Sequence, residues 1–341
     1  MEGHQVKFLT LGIESSCDDT SIAIIDESLN VLAEKTASQI DSHKIFGGVI
    51  PELASRMHQE AIMPLLDCVL AEAGVTNPSK EISLIAATTG PGLMGSLLVG
   101  AMTARALSYG WGVPFTAVNH LEGHIFAALE ENKNISPPFI SLIISGGHTE
   151  IVLVRGFGKY ELLGTTRDDA VGEAFDKLSK FLGLGYPGGP VIDKLASEGK
   201  AKYTLPTPLC DTREIEFSFS GLKTATINLA TQLKEEFGEN LPLADLAATF
   251  QETVCKILTS KLTLAFEKTG VKTLTISGGV AANSAIRASL QDFCTKRGIA
   301  LHMPKKQLCT DNGIMIALAG YFAHKRGETI QNRVSPSWSI W

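Results

Sequence analysis

The sequence predicts an α/β fold built from repeated strand–turn–strand units, on three observations. Thirty-two glycines among 341 residues gather in short turns between apolar runs rather than in a linker, as in chains that alternate strands with helices. KFLTLGIESSCDDTSIAIID (7–26) sets two β-rich runs, Phe8–Ile13 and Ser21–Asp26, around a polar turn holding Cys17, Asp18, Asp19 and Thr20. FISLIISGGHTEIVLVRG (139–156) repeats that plan around Ser145–Thr149, and VKTLTISGGVAANSAIRASLQDF (271–293) varies it, its Gly278-Gly279 turn leading into a helix.

The elements between these follow in order. EISLIAATT (81–89) reads as a buried strand, LMGSLLVGAMTARALSYG (93–110) as a helix, VPFTAV (113–118) as a strand and HLEGHIFAALEE (120–131) as a helix. In DDAVGEAFDKLSKFLGLG (168–185), Val171, Ala174, Phe175, Leu178, Phe181 and Leu182 share one helical stripe, ended by Gly183 and Gly185 before the loop YPGGP. The stretch 205–224 is irregular, and 244–270 is a long amphipathic helix. The helix over 312–327 starts behind Thr310 and Asp311, both suitable caps, and RVSPSWSIW (333–341) reads as a pinned tail.

Composition narrows the function. The chain is 44% apolar and 19% charged, enough for one large or two medium domains. A net charge of −6 argues against gripping nucleic acid by bulk attraction, while leaving room for a local basic patch. Basic residues such as Lys177, Lys180, Lys194 and Lys223 are scattered. Cys17, Cys68, Cys210, Cys255, Cys294 and Cys309 show no CxxC pair and read as reduced thiols. The first residues resemble neither a secretory signal nor a transit peptide, and no apolar run is long and uninterrupted enough to span a membrane. A soluble, cytoplasmic protein is expected.

The chemistry concentrates in VNHLEGHIFA (118–127). On a helix, His120 and His124 lie roughly 40° apart, so both imidazoles can reach one cation. A zinc peptidase of the HExxH type needs a glutamate directly after the first histidine. Here Glu122 lies about 200° around the helix from His120, so the peptidase reading loses its base. Asp311, in CTDNG at a helix start, offers a third ligand, and a His/His/Asp set suits Fe(II) or Zn(II) with positions open for substrate oxygen.

Other motifs speak for anions. Gly90-Pro91-Gly92-Leu93-Met94-Gly95 matches GxGxxG formally, but Asn119 and His120 stand where a dinucleotide site wants an acid. Helix packing through small residues, or a helix N-terminus facing an anion, are the other readings of that segment. Ser145-Gly146-Gly147 and Ser277-Gly278-Gly279 let backbone approach a ligand closely and can cradle phosphates. Asp176 could accept both hydroxyls of a ribose. No GxxxxGK[ST] loop is present.

Taken in order, GIESSCDDTSIAI, GGVIPELASRMH, GPGLMGSLLVG, NHLEGH, ISGGHT, DDAVGEAFDKLSK, YPGGP, FSFSGLKT, SGGVAANSAIR and CTDNGIMIA resemble the bacterial TsaD family. These are tRNA adenosine threonylcarbamoyltransferases, earlier described as glycoprotein endopeptidases. The resemblance runs from about Leu9 to the tail, with no departure in the motif residues. It implies the actin-like ATPase and sugar-kinase fold, two lobes of βββαβαβα type around a nucleotide cleft. The lobes are expected at 1–119 with 313–341, and at 120–312.

It implies transfer of threonylcarbamoyl from threonylcarbamoyl-AMP to N6 of adenosine 37 in tRNAs reading ANN codons. His120, His124 and Asp311 correspond to its metal ligands, with iron or zinc bound. Ile143, Ile144, Ser145, Gly146, Gly147, Asp176, Gly189, Asp193 and Asn283 correspond to positions that contact the adenylate. The partners it implies are the TsaB paralogue and the TsaE ATPase. Glu14, Asp18 and Asp19 are candidates, by location, for the group that takes the N6 proton. A metallopeptidase, or a small-molecule kinase of the same superfamily, is the alternative.

Overall fold

The computed structural model describes residues 7–328 and 333–341. The chain divides into two units, 1–135 with 311–341, and 136–310. In the first, β1 (Leu9–Glu14), β2 (Asp19–Ile25) and β3 (Val31–Ser38) form an antiparallel meander. Helices α1 (Ile40–Lys44), α2 (Pro51–Glu72) and α3 (Pro78–Glu81) lead to β4 (Ile82–Gly90). Then come α4 (Met94–Trp111), β5 (Phe115–Asn119) and α5 (His120–Ala127). The sheet order is β3-β2-β1-β4-β5, with β4 parallel to β1 and β5 parallel to β4.

The second unit repeats that order. β6 (Phe139–Ile144), β7 (Thr149–Gly156) and β8 (Lys159–Thr165) form the meander. Helices α6 (Val171–Phe181), α7 (Gly188–Glu198), α8 (Ser220–Phe237) and α9 (Leu243–Thr269) precede β9 (Thr273–Ser277), α10 (Ser284–Arg297) and β10 (Ala300–His302). Strands run β10-β9-β6-β7-β8, with β9 parallel to β6. Parallel neighbours need crossover connections, which the helices supply. The strand–turn–strand repeat seen in the sequence is thus the meander of each sheet.

Each sheet buries one face under its crossover helices. In the first unit Leu11, Ile13, Ile22 and Ile24 pack with Ile62, Leu66 and Val69 of α2. In the second, Leu142, Ile144 and Ile276 pack with Phe175, Phe250 and Leu258 of α6 and α9. The irregular stretch before α8 is held by a fully buried lysine, Lys261, whose ammonium donates to the Glu214 carbonyl at 2.8 Å and the Thr212 hydroxyl at 3.1 Å. Among the described residues, no helix is long and apolar enough to cross a membrane.

The last helix, α11 (Gly313–Lys325), belongs to the first unit and lies on β1, β2, β4 and β5. It is buried nearly all round. Only a glycine lets it settle so low: a Cβ on Gly12 would stand 2.4 Å from the Gly313 carbonyl oxygen and 2.5 Å from the Ala317 nitrogen.

The units divide at 135/136 and 310/311, and α5, which packs on α11 and β5, stays with the first sheet. One expectation is corrected. The cap of α11 is neither Thr310 nor Asp311 but Asn312, whose side-chain oxygen accepts from the Met315 N–H at 2.9 Å. Asp311 is thereby released from capping.

Candidate functional site

Three donor residues meet in the first unit. Asn119 ends β5 and caps α5, its Oδ1 accepting from the Leu121 N–H at 2.9 Å. That cap starts the helix at His120, and one turn later His124 stands on the same face, the two rings 4.6 Å apart and edge to face. Gly123 lets α5 close on α11, since a Cβ there would lie 2.8 Å from Ile316 Cδ1. The same contact brings in Asp311, just ahead of α11. Its Oδ1 lies 3.6 Å from His120 Nε2 and 3.4 Å from His124 Nε2.

That spacing fits a metal ion. Donors about 2.1 Å from one ion sit roughly 3.0–3.4 Å apart at octahedral or tetrahedral angles. The three ligand atoms all lie within 4.8 Å of one another. Two imidazole nitrogens and one carboxylate oxygen suit Fe(II) or Zn(II), and offer too little oxygen for Mg(II) or Ca(II). Glu122 points elsewhere, as its helical position requires, and accepts from Arg326 at 2.9 Å.

Behind His120 stands Glu14, at the end of β1 and with no exposure to solvent. Its Oε2 accepts from His120 Nδ1 at 3.1 Å and from the Thr88 hydroxyl at 2.6 Å, while Oε1 accepts from the Ser16 N–H. Burial alone would raise its pKa, but His120, Thr88 and Ser16 outweigh burial and hold the carboxyl below its usual range. Glu14 therefore faces the imidazole, with both of its oxygens engaged. It fixes the tautomer: with the proton on Nδ1, the Nε2 lone pair of His120 faces Asp311.

The electrostatics favour a cation. Burial lowers His120, yet the carboxylates of Asp311 and Glu14 outweigh it and raise the imidazole. Burial raises Asp311, with His120 opposing and Glu14, Asp19 and Asp18 adding to the rise. Carboxylates outnumber positive charge here, so protons and divalent cations compete for the same place.

Asp18 and Asp19 lie in the first hairpin turn. Asp19 opens β2; burial, with Asp18 and Glu14 adding, pushes its carboxyl up to about 6 against the lowering bond from Ser38. Its Oδ1 is buried without a hydrogen-bond partner among the described residues. His58 of α2 holds this turn, Nε2 donating to the Cys17 carbonyl at 2.9 Å and Nδ1 accepting from the Thr20 hydroxyl at 2.7 Å. Burial lowers the His58 pKa, which keeps that ring neutral. Ser16, His58 and Thr88 carried no signal of these roles in the sequence, Ser16 and Thr88 being single polar residues near strand ends and His58 a lone histidine inside α2.

In the second unit the two glycine turns lie side by side. Ile143 pairs with Ser277 across the parallel strands β6 and β9, so Ser145–Gly147 and Gly278–Gly279 leave adjacent strand ends. Ile143 and Ile144 are fully buried and can offer a ligand backbone only. The first turn is closed by Ser145 N–H to the His148 carbonyl at 2.8 Å, and Gly146 and Gly147 have open space where side chains would stand. Asp176 accepts from the Gly188 N–H at 2.7 Å, which sets Gly189 at the start of α7. Asp193 accepts from the Ser284 N–H and hydroxyl at 3.0 and 2.8 Å. Asn283 caps α10 through Ile286 N–H and donates to Gln251 at 2.7 Å. These four residues thus form one linked rim along α6, α7 and α10, though Asp193 and Asn283 already spend polar atoms on protein bonds.

Comparisons with known proteins bear on the family and the fold. The family model described as "TsaD: tRNA N6-adenosine threonylcarbamoyltransferase" matches residues 30–318. A tRNA N6-adenosine threonylcarbamoyltransferase of Dictyoglomus turgidum is 48% identical over 319 residues, covering 94% of each chain. One of Caldicellulosiruptor bescii is 48% identical over 322 residues, again covering 94% of each. Among solved structures, full-length HypF in a phosphate- and nucleotide-bound form superposes with a TM-score of 0.61 at 14% identity, covering 95% of this chain and 56% of that one. Component A of the Acidaminococcus fermentans (R)-2-hydroxyglutaryl-CoA dehydratase gives 0.56 at 15%, covering 93% and 99%. These last two show the fold alone, that of the actin-like ATPases.

The buried carboxylate makes a specific demand. Glu14→Ala removes the acceptor that keeps the proton on His120 Nδ1, so the ring is no longer held in the tautomer whose Nε2 lone pair faces Asp311. Zn(II) affinity, measured by competition with a chelating dye, is expected to fall by roughly 10- to 100-fold with the far-ultraviolet spectrum unchanged. Wild-type affinity in a folded variant would refute the orienting role.

Proposed function

The chain belongs to the TsaD family, the tRNA N6-adenosine threonylcarbamoyltransferases, and from that premise we propose how its residues share the reaction. It is an acyltransferase that passes a threonylcarbamoyl group to N6 of an adenosine in tRNA. We take threonylcarbamoyl-AMP as the donor and adenosine 37 of tRNAs reading ANN codons as the acceptor. In the step, the N6–carbonyl bond forms, the carbonyl–phosphate bond breaks, AMP leaves and N6 loses a proton. The amine is a poor nucleophile because its lone pair is delocalised into the ring, so the donor must be activated and held.

His120, His124 and Asp311 would hold one divalent cation, Fe(II) or Zn(II). The convergence of their three donor atoms is the observation that carries the reading. When bound there, such an ion supplies Lewis acidity and a fixed positive charge. Glu14 keeps the first imidazole in its ligating tautomer. The backbone of Ile143–Gly147, with Asp176, Gly189, Asp193 and Asn283, would seat the adenylate, so that positioning supplies much of the rate. The adjacent exits of the two glycine turns support this.

For the N6 proton we choose Asp19 over Asp18 and Glu14. Glu14 is sealed behind His120 with both oxygens engaged, whereas Asp19 is only partly buried as a residue, has a carboxyl raised to about 6 and keeps one oxygen, itself buried, without a partner among the described residues. A base of that pKa is ionised at neutral pH and still accepts a proton.

The TsaB paralogue would dock on α4. Met94, Leu98, Met102 and Tyr109 are exposed at helical spacing along it, with Met63 exposed on the neighbouring α2. An exposed apolar stripe of this kind marks an interaction surface. TsaE would act on that pair.

Incubation with threonylcarbamoyl-AMP, unmodified tRNA and the partners, followed by nucleoside mass spectrometry, tests the reading. His120→Ala combined with His124→Ala is expected to reduce transfer at least a hundredfold, about 2.7 kcal/mol; normal transfer would sink the metal role. In the same assay the rate should fall as pH drops below about 6, where Asp19 becomes protonated. Asp19→Asn should remove most of the rate and that acid limb together, and a limb that persists would assign the base elsewhere. Leu98→Asp should abolish co-elution with TsaB while metal content stays normal; an intact complex would move the interface off α4.

A further inference from the structure

The segment Ser335–Trp338 crosses the first unit at the place from which the ligand helix departs. β4 and β5 are parallel neighbours whose final residues, Gly90 and Asn119, are paired. The segment meets both. Ser335 N–H donates to the Thr89 carbonyl at 2.8 Å, and Gly92 N–H donates to the Pro336 carbonyl at 3.2 Å. Asn119 Nδ2 donates to the Trp338 carbonyl at 2.9 Å. The fit leaves no room for a side chain: a Cβ on Gly90, whose φ is +152°, would stand 1.9 Å from the Ser335 carbonyl oxygen. This contact also occupies the GxGxxG-like turn.

Asn119 is fully buried and uses both ends of its amide. Oδ1 caps α5 at Leu121, one residue past His120, while Nδ2 reaches the Trp338 carbonyl. The two bonds fix the amide's orientation, because only the nitrogen can donate and only the oxygen can accept. A second arm runs through the glycine turn. Leu93, next to the Gly92 that bonds Pro336, donates its N–H to the Ser16 carbonyl at 2.8 Å. The Ser16 hydroxyl lies 3.1 Å from His120 Nδ1. Both arms end at His120, one at its helix start and one at its ring.

We propose that Ser335–Trp338 is a strap that positions His120, acting through the Asn119 cap and the 90–93 turn, and thereby sets the geometry of the His120–His124–Asp311 site. Among the described residues the hydrogen bonds that hold the strap run through its backbone, so substitutions within it leave its grip in place and removing it does not. The inference rests on reading those three residues as a metal site, but its mechanical part concerns the cap alone.

Two variants test it. One ends the chain at Val334. The other is Asn119→Asp, which keeps an N-cap oxygen of equal quality for Leu121 but sets a carboxylate against the Trp338 carbonyl. In both, Zn(II) should bind about tenfold more weakly, the scale on which supporting bonds around a metal act. The visible absorption of the Co(II)-loaded protein should shift as well. A peptide of residues 333–341 added to the shortened chain should restore affinity and spectrum, a rescue that a general loss of stability would not show. The peptide should not rescue Asn119→Asp.

Hydrogen exchange at the Leu121 amide, read without metal, should quicken about tenfold in both variants. Wild-type Zn(II) affinity together with unchanged Leu121 exchange in a folded variant overturns the strap. Should the shortened chain fail to fold, Asn119→Asp decides alone on the same readouts. Should the unaltered protein bind no Zn(II), the metal reading fails, and the exchange rate still judges the strap.

Discussion

A carboxylate shut away from water is the constraint on which the site depends. Burying an ionised group costs several kcal/mol, and the cost is offset only by bonds that satisfy it from all sides. Glu14 has these from the Ser16 N–H, the Thr88 hydroxyl and His120 Nδ1. Each comes from a different element: the turn after β1, the strand β4 and the first residue of α5. The requirement to satisfy one charge thus locks three elements together. It also gives His120 a direction, with one nitrogen turned to the interior and the other to Asp311.

The sheet order makes this possible. β1 lies beside β4 and β4 beside β5, so Glu14, Thr88 and Asn119 come to neighbouring strand ends although far apart in the chain. α11 then lies across β1, β4 and β5 and delivers Asp311 at its start. The close seat that Gly12 allows for α11 is therefore also what sets the carboxylate near the imidazoles. Packing and ligand geometry are one problem here, solved by the same few small residues.

Much of this was legible in the sequence, and the parts that were not share a reason. The histidine pair and its separation from Glu122 follow from helical periodicity alone. The repeated strand–turn–strand units follow from apolar runs around short polar turns. Asp311 could be nominated by its residue type, but its approach to His120 depends on how α11 packs, which no local pattern encodes. Glu14 read as a possible base because it neighbours Asp18 and Asp19; only the assembled sheet shows it facing the back of His120. Asn119 read as a failed ribose acid, whereas it caps α5. The tail read as pinned, and what it pins could not be read from its composition. Local patterns reveal elements, while partners across the fold depend on register and packing.

The chemistry assigned to the first unit comes down to which atoms would surround a bound ion. X-ray absorption at the zinc edge of the Zn(II)-loaded protein asks this directly. The account predicts nitrogen and oxygen neighbours at about 2.0–2.1 Å, with the outer-shell signature of two imidazoles and no sulfur. His120→Ala should remove one imidazole from that signature. A sulfur shell at about 2.3 Å, as the Cys17 thiol in the adjacent turn would give, or an imidazole signal untouched in His120→Ala, would contradict it.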